Sequence, residues 1–160
     1  MSAHFRLAGD GVEVRLGSEE VFLLGEVTRL LVGLGDPASD PGAARLSPPV
    51  YLDDPEADAE WRRLAGSELD QARRADRSAV ETILETLRSE PGSVTVSIPE
   101  ANAMMRVFND ARLALGARWG IDEPEDYEKL RPEAEEVLSF LGWVVSELAI
   151  VLGGALQQGR

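Results

Sequence analysis

No cysteine occurs in the 160 residues. That absence excludes disulfide scaffolds, thiolate metal sites, thiol nucleophiles and cysteine redox relays, and it makes a reducing cytosol the simplest compartment. Histidine is almost as scarce. The one imidazole, His4, sits in a terminal strand region with no Ser or Asp motif around it, which argues against a catalytic role. Lys129 is the single lysine, so the other basic residues are arginines. Met1 to Asp10 lack a basic segment followed by an apolar run, so no secretory leader is read there and a soluble cytoplasmic protein is expected. The phosphate-cradling patterns Gly-x-Gly-x-x-Gly and Gly-x-x-x-x-Gly-Lys are missing, as are His-Glu-x-x-His and Gly-x-Ser-x-Gly. The expectation is a protein that is not an enzyme and uses no cofactor or metal.

What the chain has in excess is negative charge. Asp and Glu number 29 against 16 Lys and Arg, a formal charge of −13. A field of that sign repels phosphate backbones at long range, so general nucleic-acid affinity is disfavoured. The length fits one domain over 1–160, able to bury about 70% of the surface of its unfolded chain. The longest weakly charged apolar stretch, Val137 to Leu156, contains Ser146 and Glu147 and follows Glu133, Glu135 and Glu136. A bilayer tolerates such a segment poorly, so it reads as a buried core helix.

Along the chain, Phe5 to Leu7 and Val12 to Leu16 flank Asp10-Gly11, a pair suited to a two-residue turn. Pairing Gly9 with Val12 predicts Leu7 opposite Val14 and Phe5 opposite Leu16. Ser18 with Glu19 and Glu20 caps a helix expected to run to about Leu34, with Val21, Leu24, Val27, Leu31 and Leu34 as its stripe. The stretch 35–55 holds five prolines, so regular structure beyond a turn or two is not expected, and Val50, Tyr51 and Leu52 are expected to pin it to the body. Asp54-Pro55-Glu56 opens a second long helix. Ala65, Leu69, Ala72, Asp76, Ala79 and Ile83 form its packing seam, extended by Trp61 and Leu64. For Asp76, an ion pair with Arg73, Arg74 or Arg77 along the same helix, or solvation, is the expectation.

Val94, Val96 and Ile98 alternate with polar residues as a half-buried strand, and Pro99-Glu100 opens a third long helix. The order strand, breaker, acid, helix thus occurs twice, around Val12–Glu19 and around Val94–Glu100. The match is too short to favour a duplication over a simple three-stranded sheet. The connector 120–131 carries Asp122, Glu123, Glu125, Asp126 and Glu128 without the glycine and trailing glutamate of a calcium loop, so a solvated loop is read there. Pro132-Glu133 starts the last helix, whose two apolar stripes imply two partners and leave room for a homodimer contact.

The segment most informative about chemistry is Asn102 to Trp119. Asn102, Arg106, Asn109 and Asp110 share one sector of an otherwise apolar helix that needs cover on most sides. One reading is an internal Arg106–Asp110 salt bridge; the other is an anion or peptide-terminus site with Arg106 or Arg112 as its fork. Gly116, on the same side as Asn109, implies a close neighbour. Arg62, Arg63, Arg73, Arg74 and Arg77 make the second long helix the candidate basic surface.

Several segments together resemble a known family. They are Phe5-Arg6 with Asp10-Gly11-Val12, Asp53-Asp54-Pro55-Glu56-Ala57 with Trp61-Arg62-Arg63-Leu64, the run Asn109 to Arg118, and Leu141-Gly142-Trp143. The family is the actinobacterial domain of unknown function number two thousand and seventeen. Its members are often encoded beside the adaptor of the Clp protease and some are labelled transcriptional regulators, so the resemblance implies a bacterial cytoplasmic setting and supplies no catalytic residues. The expected fold is α+β and predominantly helical, an N-terminal hairpin plus one strand packed on about four main helices. The expected function is a non-enzymatic regulatory or protein-interaction module, a homodimer linked to regulated proteolysis and not to membranes. The alternatives are a DNA-binding regulator using the five arginines and a ligand-binding or enzymatic site at Arg106, Asn109, Asp110 and Arg112.

Overall fold

The computed structural model describes residues 3–159. Strands β1 (His4–Ala8), β2 (Gly11–Leu16) and β3 (Gly92–Ser97) form an antiparallel sheet in the order β1-β2-β3. The helices are α1 (Ser18–Val32), α2 (Pro41–Leu46), α3 (Pro55–Ser89), α4 (Ile98–Arg118) and α5 (Pro132–Gln158), with a short 3-10 turn over Pro124–Lys129. The chain is therefore α+β and predominantly helical, as its periodicities predict.

The hairpin register differs from expectation by two residues. Phe5 pairs with Val14 and Leu7 with Val12, so the turn is Gly9-Asp10 and Gly11 already belongs to β2. Gly9 carries the positive φ, 63°, that the turn demands. A slip of two keeps every side chain on its face, so the apolar set Phe5, Val12, Val14 and Leu16 is still buried. Space against β3 is what assigns Gly11 to the strand: a Cβ there would run into the Val96 carbonyl and the Thr95 methyl.

The helix starts follow from caps. Asp40 accepts from the Gly42 amide and Asp54 from the Ala57 amide, each ahead of a proline at the first helical position. Ser97 and Glu100 form a reciprocal capping box on α4. At α1 the expected Ser18 cap is not found: Gly17 is the cap residue and no side chain bonds to the free amides there. That helix ends at Val32, two residues short of Leu34, where the Gly33 amide folds back on the Arg29 and Leu30 carbonyls.

Helix α4 sits at the centre and touches α1, α2, α3, α5 and the sheet. Its Ala101, Met104, Val107, Phe108, Ala111, Ala114 and Leu115 are buried. The proline-rich stretch contains the single short helix α2, laid against α4 through Gly42, where a Cβ would lie 3.0 Å from the Ala114 carbonyl. Val50, Tyr51 and Leu52 do not pin this stretch, since all three are exposed. Instead the Asp58 carboxylate accepts from the Val50 and Tyr51 amides. The acidic connector is solvent-exposed as expected and also carries a turn: Asp126, within the 3-10 segment, accepts from the Asp122 and Glu123 amides.

Gly11→Ala should cost about 1–3 kcal/mol through forced separation of β2 from β3, read as a lower urea midpoint with an unchanged slope.

Candidate functional site

The N-terminal half of α3 has left the body. The buried residues of this 35-residue helix, Val80, Ile83, Leu84 and Leu87, all lie toward its end, whereas Leu64 and Leu69 of the expected seam are 67% and 46% exposed. Between the standing half of α3, the end of α1 and α2 lies an open cleft of about 1210 Å³. Arg62, Arg63, Arg73, Arg74 and Arg77 all line it, so the structure gathers the basic residues into one concavity.

Two of the five arginines build the cleft. Arg62 Nη2 donates to the Ser47 carbonyl and Arg73 Nη2 to the Leu46 carbonyl, each at 2.7 Å. These carbonyls belong to the last turn and cap of α2, which otherwise lack helical partners and carry the negative end of its dipole. The other end of α2 is fixed by Arg118, whose Nε and Nη2 grip the two oxygens of Asp40 at 3.1 and 2.7 Å. Arg118 and two backbone amides hold the Asp40 carboxyl well below the usual carboxylate range. Arg62 also pairs with Asp58, and Arg63 with Glu60. No hydrogen bond or ion pair joins Arg74 or Arg77 to another described residue. Burial pulls the Arg77 guanidinium below the usual arginine range, against the attraction of Asp110 and Asp70.

The polar sector of α4 does not form the internal Arg106–Asp110 bridge expected from spacing. Arg106 Nε and Nη2 reach across to the Asp76 oxygens of α3 at 2.7 and 2.9 Å. This also corrects Asp76, which pairs between helices and not with Arg73, Arg74 or Arg77. Asn102 donates to the Ile98 carbonyl of its own helix. Asn109 accepts from Arg112 Nη2, while Arg112 Nε is buried without a partner beside Gly142 of α5. Gly116 is buried, with Ile121 its nearest neighbour. Asp110 is left in the electrostatic field of Arg73 and Arg77, and desolvation raises its carboxyl above the ordinary value. Arg106, Asn109, Asp110 and Arg112 thus face different partners, and none of them lines the cleft. Among the described residues no group of His, Asp and Glu is placed to hold a metal ion.

Sequence spacing missed Asp40–Arg118 because its members lie 78 residues apart. The Asp40-Pro41 pair was nonetheless the same signal that marks the start of α3.

A family model described as a domain of unknown function, DUF2017, matches residues 1–152. The chain belongs to this family. It is also similar to a Mycobacterium leprae protein bearing the name of a proposed oxidative stress regulator, AosR, with 32% identity over 108 residues. That match covers 61% of this chain and 50% of the relative, so the chain spans about half the length of the curated protein it matches. No solved structure matches.

For this DUF2017 chain the two acids on the α3–α4 seam predict opposite responses. Asp76→Asn breaks a largely exposed ion pair and should cost under about 1 kcal/mol. Asp110→Asn removes a charge that burial disfavours, so the variant should be no less stable than the parent at neutral pH. Because the native carboxyl titrates above its ordinary value of 3.8, this difference shrinks as pH falls and Asp110 takes up its proton. Urea midpoints of parent and variants at neutral and acid pH test both signs.

Proposed function

We propose that the chain is a non-enzymatic regulatory module that works by binding proteins, one of them a second copy of itself held through α5. The observation that carries this is the outward face of α5. Ser139, Trp143, Ser146, Ile150 and Gly153 are all exposed at alternating four- and three-residue spacings, the pattern of a helix-pairing seam. Ile150 is 68% exposed. Within the stretch of α5 apolar and long enough to cross a membrane, only 33% is buried, so the core-helix expectation holds for one side alone. Glu147 is the sole charge between Ser139 and Gln158.

On molecules of net charge −13, a charge-free face is where two copies approach with least repulsion. Trp143 is held by Phe5 and Phe140, with ring centroids 6.1 and 6.2 Å away, and projects as a fixed knob. Ser146 and Gly153 leave the matching holes. In this reading the apolar length of α5 serves a protein partner in the cytoplasm and not a bilayer.

The name of the Mycobacterium leprae relative supports a regulatory role. Without cysteine in these residues, the chain has no thiol of its own with which to sense an oxidant. Regulated proteolysis in an actinobacterial cell, through the Clp adaptor, is the partner class that the family resemblance suggests. A pull-down with purified adaptor and protease that recovered neither would remove that refinement. DNA binding is the second reading, favoured only by the gathering of the five arginines; absence of any salt-sensitive shift with random duplex DNA disposes of it.

Sedimentation at micromolar concentration should give a dimer for the parent and a monomer for Ile150→Glu. A monomeric parent would refute the pairing.

A further inference from the structure

We infer that the arginine-walled cleft between α3, α1 and α2 receives an acidic, amphipathic segment of a partner protein. This rests on the reading of the chain as a protein-binding module and assigns that module a second, separate surface.

Size narrows the occupant first. About 1210 Å³ of open space exceeds the roughly 300–1,000 Å³ of small-molecule pockets. A length of polypeptide suits it better than an enclosed metabolite.

The walls supply two chemistries side by side. Val32, Val50 and Leu69 line the cleft yet remain 60%, 50% and 46% exposed, and Trp61 lies half-buried among them. Exposed aliphatic groups of this number in one concavity want an apolar cover. Beside them stand the five arginines, against only Asp70 and Glu81 as lining acids, on a chain whose net charge is −13. The cleft is therefore a cationic and apolar surface on an acidic molecule. A segment with carboxylates on one edge and aliphatic side chains on the other answers both features, whereas a sugar-phosphate backbone answers only the charge and meets repulsion from the rest of the chain.

Two arginines have capacity to spare. Arg74 and Arg77 bond to no described residue, and each guanidinium presents five N–H donors in a fork matched to a carboxylate. Arg77 is already partly stripped of water, so an arriving carboxylate meets it at a lower effective dielectric than on an open surface. Arg62 and Arg73 are spent on the Ser47 and Leu46 carbonyls. They hold the α2 wall in place before any partner arrives, which spares the ordering cost of binding.

The test titrates the full chain into a labelled helical peptide of about 16 residues, with Leu at i, i+3, i+4 and i+7 and Glu elsewhere. Its Glu→Gln analogue and random duplex DNA serve as competitors. The Glu peptide should bind with salt-sensitive affinity, and the Gln analogue about tenfold more weakly. The double variant Arg74→Gln, Arg77→Gln should lose a similar factor with an unchanged thermal midpoint, while Arg29→Gln, on the outer face of α1, should bind as the parent does. Equal affinity for both peptides, no binding of either, or an unaffected double variant overturns the inference. Duplex DNA that outcompetes the Glu peptide at the same arginines overturns it in favour of a nucleic acid. Ile150→Glu should retain peptide binding, so a failed titration beside a confirmed α5 dimer removes the cleft assignment and leaves the module reading standing.

Discussion

The burial of α4 on almost every side is the constraint from which the rest of the molecule follows. A helix wrapped by α1, α2, α3, α5 and a sheet keeps only a narrow exposed strip, where Arg106 stands, so its apolar positions run nearly round the cylinder. The few polar groups it keeps must then find partners on whichever neighbour they meet. Arg106 finds Asp76 on α3, Arg118 finds Asp40 ahead of α2, and Arg112 turns back to Asn109 against α5. The first two fix a neighbour to the hub, and the third stays within it. Asp110 is the exception, held by field and not by hydrogen bonds, which is why desolvation dominates its carboxyl.

The same economy shapes the cleft. Only the last third of α3 buries apolar residues, so its first half is free to stand away, and the space it leaves is closed at one end by the small helix α2. A six-residue helix has little stability of its own. It persists because Gly42 lets its backbone approach α4, Asp40 caps its start, and two arginines from α3 satisfy its terminal carbonyls. The arginines thus contribute both architecture and surface charge, and those left over, Arg74 and Arg77, bond to no described residue.

Helix α5 meets the opposite situation. Its inner stripe, Leu138, Leu141, Val144, Leu148 and Leu152, is buried against α4 and β1, while on the outer stripe only Trp143 touches another ring, and Ser139, Ser146, Ile150 and Gly153 are exposed. The cleft and this face therefore present two unlike surfaces, one charged and concave, one neutral and ridged.

Much of this was legible in local sequence. Asp54-Pro55, Pro99-Glu100, Pro132-Glu133 and the 3.6-residue and two-residue periodicities located the long helices and the strands, because helix starts and amphipathic faces are decided within a few residues. The hairpin was legible to its face but not its register: a turn at Gly9-Asp10 or Asp10-Gly11 buries the same side chains, and only the closeness of Gly11 to Val96 separates them. Which arginine meets which acid was not legible. Arg106–Asp76 and Arg118–Asp40 join residues 30 and 78 positions apart, and a guanidinium pairs with whatever carboxylate the packing of distant helices brings near. Sequence alone, then, determined the strands and long helices, the absence of thiol chemistry and the acidic field. The tertiary structure decided the pairing of charges, the detachment of half of α3 and the existence of a cleft, since these depend on where long-range apolar contacts stop.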